Sequence, residues 1–343
     1  MGDSGSAHQG LDNLLTESRT FPPSDDFAAQ ANATATLYDE ADADRQAFWA
    51  EQARRLHWDT DFEQVLDWSN PPFAKWFVGG ELNVAYNCVD RHVEAGHGDQ
   101  VAFYWEGEPG DTRTITYADL QREVAKAANA LTSLGLEAGD RVAIQMPMLP
   151  EAIVAMLACA RLGLPHSVVF GGFSAESLRT RINDAEAKLV ITADGQYRRG
   201  KAAPLKANTD QALKDGTTTV EHVLVVRRTE IDIDWTDGRD LWWHDLVDGQ
   251  SDQHTPEPFD SEHPLFILYT SGTTGKPKGI LHTSGGYLTQ SAYTHRVVFD
   301  HKPGSDVYWC TADIGWVTGH SYIVYGPLAN RATEVIYEGT PNT

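Results

Sequence analysis

A glycine- and hydroxyl-rich segment has the composition of a phosphate-binding loop. From Tyr269 to Gly279 it runs Tyr-Thr-Ser-Gly-Thr-Thr-Gly-Lys-Pro-Lys-Gly, directly after an apolar stretch of strand length. Glycine lets backbone N–H groups approach phosphate oxygens, and serine, threonine and lysine add side-chain donors and positive charge. The segment therefore carries the groups that a nucleotide-handling loop needs.

A Walker A loop is the obvious alternative for such a segment. That motif has four residues between its glycines, and its lysine is followed by a magnesium-binding serine or threonine. Here Gly272 and Gly275 are separated by two residues, and Lys276 is followed by Pro277. Proline suits a turn better than the interior of a Walker helix. The spacing disfavours a P-loop kinase, and a solvated loop without function is the remaining alternative.

A second group of interest is Trp316, Val317 and Thr318. Valine offers apolar area for a methyl group, and threonine offers a hydroxyl donor beside a carboxylate or thioester. The alternative is ordinary core packing of Ile314, Trp316 and Val317.

The charge balance makes a third group notable. The chain has 49 acidic and 27 basic residues, a net charge of −22, with 18 arginines but 9 lysines. Such a surface repels nucleic acid and anionic membranes, so we expect neither as a partner. The composition is typical of salt-loving organisms. Anionic ligands would have to be gathered by local cations, and Arg198, Arg199 and Lys201, around Gly200, form such a cluster.

Strand-length apolar runs alternate with helix-length periodic segments from Val101 onward. Thr116 and Asp119 predict a capping box, Gly135 a helix end and Ser174 a further N-cap. The order predicts βαβ units and a parallel sheet. We predict strands at 101–105, 141–146, 166–170, 189–193, 223–226, 265–269, 307–311 and 333–337, and helices at 117–134, 151–162, 174–185 and 286–295.

The chain divides into three parts by composition. Residues 1–35 are polar and predict a mobile tail. Residues 36–95 predict an amphipathic helix between Tyr38 and Phe62, followed by an aromatic, Pro/Gly-broken arm. Residues 96–343 predict the α/β core, which we expect to be incomplete because the chain stops without a helix or cap. Neither a membrane-spanning run nor a signal-peptide pattern is present, and three scattered cysteines predict free thiols, so we expect a cytoplasmic protein.

The segment from Tyr269 to Gly279 resembles the phosphate-loop signature of the adenylate-forming superfamily, which comprises acyl-CoA synthetases, peptide-synthetase adenylation domains and firefly-type luciferases. Segments 281–288, 307–328 and 337–342 are similar to the acetyl-CoA synthetase branch, as are 68–83 and 169–174. The similarity covers about residues 36–343. It implies the multi-layer αβαβα-type large N-terminal α/β domain of these enzymes, truncated before its last subdomain and the small C-terminal domain.

The resemblance also implies ligands and site residues. ATP, Mg²⁺ and CoA are the expected cofactors, and acetate the expected acid. The Mg²⁺ ligands and a catalytic lysine are expected beyond Thr343, so no metal or catalytic residue is expected in this chain. The implied sites are Thr270, Ser271, Gly272, Thr273, Thr274, Gly275 and Lys276 for the ATP phosphates; Trp316, Val317 and Thr318 for the acyl group; and Arg198, Arg199, Gly200, Lys201, Thr318 and Asn342 for CoA.

Two departures limit these implications. The family usually has arginine where Lys201 stands, so the charge is kept but bidentate hydrogen bonding is lost. His320 could be a general base, although a neutral structural histidine is the favoured interpretation. We expect a ligase that forms acetyl-AMP and pyrophosphate and then acetyl-CoA and AMP. We expect residues 1–343 alone not to make acetyl-CoA. Propionate or another short acid is an alternative substrate, and a non-catalytic nucleotide- or CoA-binding fragment is an alternative function.

Overall fold

The computed structural model describes residues 19–214, 219–270 and 277–340. Within them, π-helical turns occur at Tyr86–Asp90, Val93–His97 and His320–Tyr325. The helices are α1 Asp25–Gln30, α2 Thr36–Ala43, α3 Arg45–Ala53, α4 Tyr117–Ser133, α5 Pro150–Arg161, α6 Ala175–Ala185, α7 Lys206–Leu213, α8 Trp243–Val247, α9 Ser284–Val298, α10 Val317–Gly319 and α11 Gly326–Ala329. The strands are β1 Gln64–Asn70, β2 Phe73–Val78, β3 Glu81–Leu82, β4 Val101–Glu106, β5 Thr112–Thr116, β6 Val142–Gln145, β7 His166–Val168, β8 Leu189–Ala193, β9 Gly195–Arg198, β10 Lys201–Pro204, β11 His222–Val226, β12 Asp240–Trp242, β13 Phe259–Asp260, β14 Pro264–Thr270, β15 Lys278–Thr283, β16 Val307–Trp309 and β17 Thr333–Tyr337.

A seven-stranded sheet with the order β12-β11-β8-β6-β7-β14-β15 forms the centre of the fold. Its neighbouring strands run parallel except for the antiparallel pair β14 and β15. Helix α5 connects β6 to β7 and α6 connects β7 to β8, which are the predicted βαβ crossovers. Every residue of β6 and β8 is buried, as expected of parallel strands covered on both faces. The predicted α/β class is confirmed.

A second sheet has the order β16-β17-β4-β5. Strand β17 runs parallel to both β16 and β4, while β5 is antiparallel to β4. Phe103 of β4 and Ile336 of β17 belong to the same apolar cluster as Ile144 of β6 and Phe266 of β14. One core therefore joins the two sheets and fixes where their strand ends meet.

The local signals at helix ends are confirmed. The Thr116 hydroxyl accepts the Asp119 N–H at 3.1 Å, and the Asp119 carboxylate accepts the Thr116 N–H at 3.0 Å. Gly135 adopts φ +80° just after α4. The Ser174 hydroxyl accepts the Ser177 N–H at 3.3 Å at the start of α6. Each signal depends on near neighbours in the chain, which is why the sequence predicts it well.

Predictions for the N-terminal part need correction. The single helix predicted between Tyr38 and Phe62 is wrong: α2 and α3 are separate, because the Asp44 carboxylate accepts the Ala47 N–H at 2.9 Å and starts a new helix. The predicted tail contains the exposed α1. Asn32 donates side-chain hydrogen bonds to the Arg296 and His301 carbonyls at 3.0 and 2.9 Å, so the end of the predicted tail is tied to the core.

Several elements were not predicted. Strand β15 separates the glycine-rich segment from α9, which is longer than the predicted helix. Helices α7 and α8 and strand β12 lie in the segment 206–261, whose pattern is mixed. Across the described residues, none of the helices is long and apolar enough to cross a membrane.

Candidate active site

The carboxyl ends of the parallel strands meet around one cavity of 160 Å³. Residues 146–148 follow β6 and residues 170–171 follow β7, while residues 309–313 and 337–340 begin at the last residues of β16 and β17. Ligands of open parallel sheets bind in crevices at this edge. We call this space the site cavity.

The glycine-rich segment leaves the same edge of the central sheet. Thr270 is the last residue of β14 and pairs with Lys278, the first residue of β15. Because β14 is parallel to β7, both ends of the segment lie at the carboxyl edge. Thr270 and Lys278 are exposed. Ser271, Gly272, Thr273, Thr274, Gly275 and Lys276 lie outside the described residues, as does Asn342.

The basic cluster forms a tight hairpin, which we call the basic hairpin. Arg198 ends β9, Lys201 begins β10, and the two residues are cross-strand partners. Arg199 and Gly200 form the connecting turn with φ of 55° and 72°, the positive values of a two-residue hairpin loop. The Gly200 N–H donates to the Glu108 carboxylate. Arg198 and Lys201, three positions apart in the sequence, are therefore direct neighbours across the hairpin.

Arg198 lines the site cavity, whereas Lys201 does not. The Arg198 guanidinium lies 5.4 Å from the centre of the Phe170 ring, a cation–π contact that holds the side chain over the cavity. Lys201 and Arg199 are exposed.

The segment Trp316–Thr318 lies beside Arg198. Trp316 packs on Phe170 and Phe173, with ring centres 5.9 and 6.0 Å apart, and Phe170 also contacts Arg198. Trp316 and Val317 are 48% and 45% exposed, and Thr318 is exposed. The alternative that Trp316 and Val317 are ordinary core residues is therefore wrong, although Ile314 is buried in the core. An exposed apolar surface beside a cavity is available to a ligand.

A tight turn positions this segment. The Asp313 carboxylate accepts the Gly315 N–H at 2.7 Å, and the Met148 sulfur accepts the Ile314 N–H at 3.4 Å. A Cβ at Gly315 would lie 2.9 Å from the Phe170 backbone, so the close approach requires glycine. Burial raises the pKa of Asp313, while the Gly315 N–H and the charge of Arg198 act in the opposite direction. Sequence reasoning missed Asp313; the available signal was the Asp-Ile-Gly order of a tight turn.

His320 is a structural residue. Its Nδ1 is 2.9 Å from the Trp316 carbonyl oxygen, and its ring is stacked with that of His166, with centres 6.2 Å apart. Burial lowers the pKa of His320 to about 4, so the ring is neutral at neutral pH. The histidine supports the turn that carries Trp316 and is buried away from solvent. The structure supports the neutral structural interpretation over a general base.

Arg228 is a further cation that sequence reasoning missed. It contacts the carboxylates of Asp111, at 2.9 Å, and of the buried Glu338. The buried Asp194 carboxylate accepts the Arg228 N–H at 2.8 Å and the Thr229 N–H at 3.0 Å. These bonds hold Glu338 at the edge of the site cavity. Among the described residues no group of three or more His, Cys, Asp or Glu side chains is arranged to hold a metal ion.

Comparison with known proteins identifies the family. The family model described as AMP-binding enzyme matches residues 89–343. The chain belongs to the family of AMP-binding enzymes. A second model, described as acetyl-coenzyme A synthetase N-terminus, matches residues 34–88.

Curated relatives are named acetyl-coenzyme A synthetase. One from Streptomyces avermitilis is 69% identical over 98% of this chain and 52% of its own length. Another, from Mycobacterium tuberculosis, is 71% identical over 95% of this chain and 50% of its own length. A third, from Mycolicibacterium smegmatis, is 73% identical over 94% of this chain and 34% of its own length. The chain therefore spans about half or less of the relatives it matches.

Proposed function

We propose that this chain supplies part of the site of an ATP-dependent acetate–CoA ligase. In the first step an acetate oxygen bonds to the α-phosphorus of ATP and the bond to pyrophosphate breaks. In the second step the CoA thiol bonds to the acetyl carbon and AMP leaves. The observation that carries the proposal is that Phe170, just after β7, contacts both Arg198 and Trp316, at the edge of the sheet where the neighbouring parallel strand β14 ends at Thr270.

Each group of residues has a proposed role. Thr270 and the following Ser271–Lys276 segment hold the ATP phosphates. Mg²⁺, whose ligands are expected beyond Thr343, would supply charge neutralisation on those phosphates. Trp316, Val317 and Thr318 line the space for the acetyl methyl and carbonyl groups. Arg198, Arg199, Gly200 and Lys201, with Thr318 and Asn342, contact CoA.

The exposure of these groups fits such roles. Arg198 is held over the site cavity by Phe170 without a described carboxylate partner, so its charge is available to a phosphate. The apolar faces of Trp316 and Val317 lie next to it. In a chain of net charge −22, this local cation is what an anionic ligand requires. We also propose a cytoplasmic location, and activity that persists in molar salt.

Acetate-dependent exchange of labelled pyrophosphate into ATP tests the first step. We expect exchange with acetate to exceed exchange with propionate in the full-length protein. Equal or faster exchange with propionate would assign the alternative substrate. The second alternative, a non-catalytic nucleotide- or CoA-binding fragment, concerns residues 1–343 alone. Acetate-dependent pyrophosphate release by this fragment would exclude that alternative.

A further inference from the structure

A second cavity, of 690 Å³, lies away from the site cavity. It is lined by Asn32, by Gln52, Arg55 and Leu56 at the end of α3, by four residues between positions 91 and 97, by three residues of α9, and by residues 301–303 and 329–331. Arg331 precedes β17, whereas Gly339 of the site cavity follows the same strand. The five residues of β17 lie between them, so the two cavities lie at opposite ends of this strand. We call this second space the cationic cavity.

The lining carries a concentration of positive charge. Five of its seventeen described residues are Arg or Lys and none is Asp or Glu, in a chain with 49 acidic residues. The cations are Arg55, Arg91, Arg296, Lys302 and Arg331. Lys302 is paired with Asp300, but within the described chain the four arginines form no ion pair with a carboxylate. Such an unbalanced cluster has a field suited to an anion.

The arginines also influence one another. Burial lowers the pKa of Arg91 and of Arg296, and the nearby charge of Arg55 contributes to both shifts. Arg91 is held by the carbonyl oxygens of Asn87 and Arg55, at 2.8 and 3.0 Å. Hydrogen bonds to neutral carbonyls leave its charge uncompensated. An anion in the cavity would relieve this repulsion.

The wall of the cavity also contains buried polar atoms without described hydrogen-bond partners. His301 lines the cavity and is 3% exposed, yet both ring nitrogens lack a hydrogen-bond partner among the described residues. The Arg296 Nε is buried and also lacks a described partner. Buried polar atoms are normally hydrogen-bonded, so this part of the wall leaves polar atoms unsatisfied among the described residues.

We propose that the cationic cavity binds a small phosphate-bearing anion at a site separate from that of the acetate reaction. Arg55, Arg296 and Arg331 supply charged donors to the phosphate oxygens, and His301 lies in the wall of the same cavity. The volume is in the range of small-molecule sites, about 300–1,000 Å³, so the phosphate can carry an organic group. This inference does not rest on the proposed ligase activity.

Inorganic pyrophosphate is the probe for the test. The imidazole resonances of the histidine-labelled 343-residue chain are followed by NMR during titration, and His301→Gln identifies the His301 signal. We expect that signal to shift saturably. In Arg55→Gln with Arg331→Gln, we expect the apparent Kd from this signal to rise at least about tenfold, as two charged donors are lost.

The control variant removes two positive charges at arginines outside the cationic cavity. Arg54→Gln with Arg122→Gln changes two exposed arginines that pair with Asp61 and Asp119 outside the cavity, and we expect the His301 titration to remain that of the parent. A His301 signal that does not move with pyrophosphate overturns the proposal. So does a titration that is equally weakened by the control pair, or unchanged in the cavity pair. Pyrophosphate bound near Lys276 would leave the His301 signal in place, so the two sites are distinguished.

Discussion

Arg198 and Lys201 face each other across a two-residue turn, and Arg198 alone of the two lines the site cavity. Cross-strand partners place their side chains on the same face of a hairpin. The two cations are therefore neighbours on the hairpin, with Arg198 at the site cavity and Lys201 exposed to solvent.

Arg198→Ala is expected to weaken CoA use without affecting the first step. Loss of a charged hydrogen bond costs about 1.5–3 kcal/mol, so KM for CoA should rise about tenfold to a hundredfold. Acetate-dependent ATP–pyrophosphate exchange should stay at the parent rate. The exposed Arg54→Ala is the matched control and should change neither quantity. An equal loss in both half-reactions would contradict the CoA role and indicate a structural one.

Gly315→Ala is expected to destabilise the turn that carries Trp316. The new Cβ would lie 2.9 Å from the Phe170 backbone, which cannot move aside as a flexible side chain could. Such overpacking costs about 1–3 kcal/mol of unfolding free energy, measurable by urea denaturation. Gly249→Ala is the control, because a Cβ there meets nothing within 4 Å. Equal unfolding free energies in the two variants would show that the close approach is not required.

Acid is expected to destabilise the fold through its buried histidines. Burial lowers the pKa of His166 to about 3 and of His320 to about 4, while an unfolded histidine has a pKa of about 6.5. Between these values the unfolded state binds more protons, so stability is lost as pH falls below about 6.5. Each such histidine contributes a slope approaching about 1.4 kcal/mol per pH unit.

His320→Gln tests this linkage. Urea unfolding at about pH 7.5 and pH 5 should show a smaller acid-induced loss of unfolding free energy in the variant than in the parent. Changing the exposed His57 to Gln should leave the parent's loss unchanged. If acidification lowers the unfolding free energy of His320→Gln as much as that of the parent, the buried His320 ring is not the source of this pH dependence.

Lys206 and Asp240 form a fully buried ion pair at 2.8 Å, and breaking it from either side should have unequal effects. Asp240→Ala leaves the buried Lys206 with Asp210, at 2.7 Å, as its remaining carboxylate partner. It also removes a carboxylate partner of Arg239 and the acceptor of the Thr236 N–H, so it should cost about 3–5 kcal/mol. Lys206→Met should cost less, because Asp240 keeps Arg239 at 2.7 Å and the Thr236 N–H at 2.8 Å. Unfolding free energies of both variants check this. A larger loss of unfolding free energy in Lys206→Met than in Asp240→Ala would contradict this prediction.

Much of the fold could be predicted from local sequence patterns. The Thr116 capping box and the Ser174 cap depend on atoms three residues apart, and the apolar runs of β6 and β8 reflect burial on both faces. Helix α7 was not predicted. Its first residue, Lys206, is buried because it pairs with Asp240, 34 residues further along the chain, and a local sequence pattern cannot indicate such a contact.

The sequence by itself determined the chemistry available: a glycine- and hydroxyl-rich segment after a strand, a basic cluster in an acidic chain, and an apolar triplet with a hydroxyl. Residue type and short spacing suffice for that. Only the tertiary structure decided which of these groups meet. In the folded chain Arg198 and Trp316 both contact Phe170, and Lys201 lies outside the site cavity. His320 contacts the Trp316 carbonyl oxygen and supports the turn that carries Trp316. The physical reason is that the two sheets share one core, so contacts between strand ends depend on packing between distant segments.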